Sequence, residues 1–180
     1  MPFCELRYFS AALRKQTAAN VILPGPEQKG PFHVMFLLHG LSDDHTIWCR
    51  RTSIERYVEG LPLIVVMPDG GRSFYVDAVD GHAYGTALGQ ELPELIATYF
   101  PTTEPWCITG LSMGGYGAVK LSLDRPDLFR SAVSHSGAVH FGNALEGPDA
   151  EFNSEFARVV GTLPKGGPCD LHAQVLACKN

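Results

Sequence analysis

Three short apolar runs constrain this chain more than any other feature. Val34–Leu38 (VMFLL), Leu63–Met67 (LIVVM) and Trp106–Thr109 (WCIT) are nearly free of charge and of polar alternation. A strand with one wet face alternates apolar and polar residues. An unbroken run of this length marks a strand buried on both faces, as in a parallel sheet covered by helices. Ala132–Ser134 predicts a fourth such strand. Helical patterns lie between them. Thr52 and Glu55 have capping-box spacing and Gly60 a suitable stop. Leu88, Leu92, Leu95, Ile96 and Tyr99 recur at helical spacing, with Pro93 predicting a kink or a later start. Two further strands, Phe3–Ser10 and Ala18–Leu23, read as a hairpin at a sheet edge, ended by Pro24-Gly25-Pro26. Ala150–Val160, with Phe152, Phe156 and Val159 on one face, and Leu171–Cys178, capped by Asp170, are the last predicted helices. The expected fold is α/β: a mostly parallel sheet with helices on both faces, in one domain over residues 1–180.

Composition narrows the function. With 45% hydrophobic and 18% charged residues a real core is expected. The net charge of −5 argues against nucleic acid as a partner. The longest apolar stretch, Leu61–Met67, is interrupted by Pro62 and too short to span a bilayer. The N-terminus MPFCELRYFS has no basic region followed by an apolar core, so a cytoplasmic location is expected. Five widely spaced cysteines without a CxxC pair suggest free thiols, with neither a disulfide framework nor a zinc site.

The chemistry sits at Gly110-Leu111-Ser112-Met113-Gly114, a G-x-S-x-G directly after a predicted strand and before a predicted helix. In that context the turn lifts the serine oxygen clear of the sheet, and the next N–H opens a helix. A second turn, His39-Gly40-Leu41-Ser42-Asp43-Asp44, follows the Val34–Leu38 strand. Acyl transfer needs two backbone donors aimed at the developing oxyanion. The N–H groups of Met113 and Leu41 are the candidates, with His39 an orienting residue and not a base. The Gly- and Asp-rich segment Asp69–Tyr84 reads as a surface loop.

The ordered blocks LLHGLSDDHTIW, LPLIVVMPDGGRSFYVDA and ITGLSMGGYGAVK resemble the esterase family of the α/β-hydrolase superfamily. Its tributyrin-type branch is nearest, and its relatives include S-formylglutathione hydrolase and the antigen 85 proteins. The resemblance runs from about Phe3 through Ala138. It implies an α/β-hydrolase fold and Ser112 as nucleophile, with Leu41 and Met113 as the oxyanion hole. No cofactor and no metal is implied. The implied substrate is a small acyl ester, and Trp48, Tyr75 and Asp77 are candidate pocket residues. A glutathione thioesterase, a carbohydrate acetyl esterase, or a non-catalytic binding protein on the same fold are the alternatives.

In this superfamily the acid and then the histidine follow the serine. The family's positions for both would need roughly 60 to 100 further residues, at about 30 per β-α-β unit. The chain is therefore expected to be a truncated piece lacking the last strands, with an uncovered sheet edge and a tendency to form homo-oligomers. His135, His140 and His172, with Asp124, Asp127, Asp149 and Asp170, follow Ser112 but match none of the family's positions.

Overall fold

The computed structural model describes residues 1–140, 150–161 and 166–178. Six strands form one sheet: β1 (Phe3–Ser10), β2 (Lys15–Ile22), β3 (His33–Leu38), β4 (Leu63–Pro68), β5 (Trp106–Leu111) and β6 (Phe129–His135). Their order across the sheet is β1-β2-β4-β3-β5-β6. The hairpin β1–β2 is antiparallel and joins β4 antiparallel, while β4, β3, β5 and β6 are mutually parallel. The apolar runs therefore occupy the centre, and the hairpin forms one edge.

Parallel strands need crossovers, and the direction of each right-handed crossover decides which face its helix covers. From β3 the chain moves outward to β4 through α1 (Ile47–Arg51) and α2 (Ile54–Tyr57). Both then lie on one face, where Ile54 and Val58 pack with Leu37, Val65 and Met67. From β4 the chain crosses back past β3 to β5 through α3 (Tyr84–Thr86) and α4 (Leu92–Tyr99). From β5 it continues outward to β6 through α5 (Met113–Asp124). These helices share the opposite face with Val34, Phe36, Leu38, Ile64 and Ile108. Phe156 and Val159 of α6 (Ala150–Val160) and Leu171 of α7 (Leu171–Ala177) join that same core. The side chain of Phe152 lies outside the described residues.

Three local expectations need correction. Thr52 does not open a capping box: it is the C-cap that follows α1, its hydroxyl donating to Trp48 O at 2.5 Å and accepting Ile54 N–H at 3.2 Å. The predicted helix is thus two short ones divided at Thr52-Ser53. Pro93 neither breaks nor ends its helix. The turn Ala87–Glu91 widens to π-helical spacing before it. The carbonyl that Pro93 leaves without its usual donor, that of Gly89, accepts Arg125 Nη1 at 2.7 Å instead. Finally, the Asp69–Tyr84 segment is not a surface loop throughout, because Ser73, Phe74, Tyr75 and Val76 are buried in the core.

At the other edge β6 is exposed at every residue after Phe129. Leu111 and Val133 are 41% and 52% exposed. Ala132–Ser134, expected as a further strand buried on both faces, lies instead at an exposed edge, paired with β5 alone among the described strands. No helix among the described residues is long and apolar enough to cross a membrane.

Candidate active site

The loops after β3 and β5 depart in opposite directions, toward β4 and β6. The crevice between their carboxyl ends is the switch point at which open α/β sheets bind ligands. His39–Asp44 and Ser112 meet there.

Ser112 connects β5 to α5 with φ 55° and ψ −112°. That is left-handed backbone, costly for a residue with a Cβ and kept only where the surroundings enforce it. Here they do. Its N–H donates to His135 O at 2.9 Å, and its carbonyl accepts Tyr116 N–H at 3.0 Å and Ala138 N–H at 3.3 Å. Gly114 lies so close to β3 that a Cβ would stand 2.5 Å from Leu38 O and 2.6 Å from His39 O. The serine side chain is exposed, and its hydroxyl has no hydrogen-bond partner among the described residues. The N–H of Met113, first residue of α5, is also unpaired there, at the end of the helix that favours negative charge.

The β3 side is fastened by a buried hydrogen-bond chain. Gly70 N–H donates to His39 Nε2 at 2.8 Å. The proton of this imidazole is therefore on Nδ1, which donates to Gly40 O at 2.7 Å. Asp43 N–H reaches the same carbonyl at 3.2 Å. A trans peptide points its N–H away from its C=O, so fixing Gly40 O fixes the direction of the Leu41 N–H. That N–H has no partner among the described residues. A methyl group on Gly40 would sit 3.9 Å from Ser112 Cβ, which puts this peptide unit beside the serine. Both ring nitrogens of His39 are committed, in keeping with an orienting role.

Tyr75, expected to line a pocket, is instead fully buried. Its hydroxyl donates to His39 O at 2.9 Å, and its ring presses against Gly70 and Gly117. Phe74 and Tyr75 both have positive φ, 52° and 61°. Burial pushes the Tyr75 hydroxyl well above its ordinary pKa, so it stays a donor. Asp77 closes its own loop, accepting the Thr86 N–H at 2.7 Å and the Thr86 hydroxyl at 2.6 Å. Trp48 packs with the smaller core cluster under α1 and α2.

No imidazole or carboxylate among the described residues is hydrogen-bonded to Ser112 Oγ. His135, His140 and His172 are exposed. Asp124 is paired with Lys120 and Asp127 with Arg125, and Asp170 caps α7 through Ala173 N–H. Asp149 lies outside the described residues. No group of three or more metal-ligating side chains occurs among the described residues.

Comparison with known proteins decides the family. The Esterase family model matches residues 10–163. The chain belongs to the Esterase family. By family it is a serine ester hydrolase of α/β-hydrolase fold. An acetyl esterase of Caldicellulosiruptor saccharolyticus is 28% identical over 99% of this chain and 75% of its own length. The fluorophosphonate-binding serine hydrolase FphF of Staphylococcus aureus superposes with a TM-score of 0.88 at 30% identity, over 98% of this chain and 72% of that one. The S-formylglutathione hydrolase FrmB of the same organism gives 0.82 at 31%, over 98% and 73%.

Proposed function

We propose that this chain is a carboxylesterase for short-chain acyl esters, working through an acyl-enzyme at Ser112. One observation carries the reading. An exposed serine hydroxyl stands on strained backbone at the switch point, beside two backbone amides, and none of the three has a hydrogen-bond partner among the described residues. In the proposed reaction Oγ attacks the ester carbonyl and its proton is taken by a base. The Leu41 and Met113 N–H groups receive the negative charge on the carbonyl oxygen. The alcohol leaves with a proton, and water then releases the acid from Ser112. The short acyl group is supported by the acetyl esterase relative. The similarity to an S-formylglutathione hydrolase supports the thioester alternative, which shares every step but the leaving group.

A second reading, a binding protein on a hydrolase fold, is favoured by the lack of a described base on Ser112 Oγ. Hydrolysis of 4-nitrophenyl acetate and butyrate by the chain and by Ser112→Ala separates the two. The esterase reading expects turnover that falls to the buffer background in the variant. Equal rates in both proteins would refute it.

A further inference from the structure

The loop that carries the Leu41 amide also carries an unanswered charge. A methyl group on Gly40 would lie 3.2 Å from Asp43 Oδ2 and 3.9 Å from Ser112 Cβ. The carboxylate and the serine therefore flank the same point of the crevice. The Asp43 side chain is half-buried and makes no hydrogen bond or ion pair with a described residue. Its neighbours differ. Asp44 accepts both the hydroxyl and the N–H of Thr46 and faces Arg50 at 3.5 Å. Asp69 accepts Gly71 N–H at 3.0 Å. Those two charges are met locally, while that of Asp43 has no partner among the described residues and lies on the Ser112 side of its loop. Its reach is visible at Tyr75, whose hydroxyl is kept protonated first by burial and then by the fields of Asp69 and Asp43.

We propose that Asp43 makes the Ser112 site selective by charge. It disfavours esters and thioesters whose acyl or leaving portion carries a carboxylate, and it favours neutral and cationic ones. The inference rests on Ser112 being the nucleophile, and it narrows the substrate class away from glutathione thioesters, which are carboxylates. The same charge also opposes the oxyanion, but it does so for every substrate and cancels in a ratio. A charged substituent about 8 Å from Asp43, in a half-solvated crevice, feels roughly a tenfold effect.

The test uses three phenyl acetates differing only in a ring substituent: trimethylammonium, neutral, and carboxylate. The readout is the ratio of kcat/KM for the cationic ester to that for the anionic one. Asp43→Asn is expected to lower that ratio about a hundredfold, about tenfold from each charged ester. For the unmodified chain, raising salt from about 20 to about 500 mM is expected to compress the same ratio by screening. That arm needs no variant, so poor folding of Asp43→Asn would not shield the proposal. A ratio that changes less than about twofold in both arms overturns it. No turnover of the neutral ester by the unmodified chain would remove the Ser112 reading, and this inference with it. Neutral turnover without charge dependence would overturn this inference alone.

Discussion

The two sides of Ser112 are held by different means. Toward β3, side chains do the fastening: His39 uses both ring nitrogens, Tyr75 bonds the His39 carbonyl, and all of it is buried. Toward β6, backbone alone does so among the described residues. Ser112 N–H meets His135 O and Ala138 N–H meets Ser112 O, while the side chains of His135, Ser136 and His140 are exposed. The β3 side carries the Leu41 amide, one of the two proposed oxyanion donors, and stillness is what makes such a donor effective. The β6 side commits no described side chain to the serine hydroxyl.

Substitutions on each side should separate these roles. The largest effect is expected at Gly114→Ala, where the new methyl has only the backbone carbonyls of Leu38 and His39 to push against. Overpacking of this kind costs about 3 kcal/mol. The thermal midpoint should fall by about 6–12 °C. An unchanged melting curve would mean that the contact between α5 and β3 is looser than described.

Tyr75→Phe removes one oxygen and leaves the buried His39 carbonyl without that donor, a loss of about 1–2 kcal/mol in stability. The loop it secures carries the proposed oxyanion donor Leu41, so kcat for a neutral ester should fall about tenfold with KM little changed. Equal changes in both would argue that Tyr75 shapes substrate binding instead. The smallest effect is expected on the other side. His135→Ala should shift stability by less than about 0.5 kcal/mol in a denaturant titration, because its side chain is exposed. A larger loss would show that the β6 rim is fastened through side chains after all.

The sheet was largely legible because its signal is continuous burial. VMFLL, LIVVM and WCIT each became a central strand, extended by a residue or two. The serine turn was legible because glycines two residues either side leave few other folds. What stayed hidden depends on contacts distant in sequence. Nothing near Pro93 announces that Arg125 will satisfy the Gly89 carbonyl. Thr52 had the spacing of a cap, but its hydroxyl serves the helix before it as well as the one after. Phe74 and Tyr75 adopt a backbone that non-glycine residues rarely take, so a Gly- and Asp-rich stretch read as solvent-facing while its aromatic residues turn inward. The charge of Asp43 is plain in the sequence. Its place beside Ser112 follows only from the fold of the His39–Asp44 turn.

The central claim is that Ser112 is a nucleophile and not merely an exposed serine on a tight turn. A fluorophosphonate probe followed by peptide mapping tests it directly. The account predicts one covalent adduct, on Ser112, abolished by Ser112→Ala and suppressed by a short-chain acyl ester in competition. A folded chain that takes up no label, or takes it up elsewhere, would contradict it.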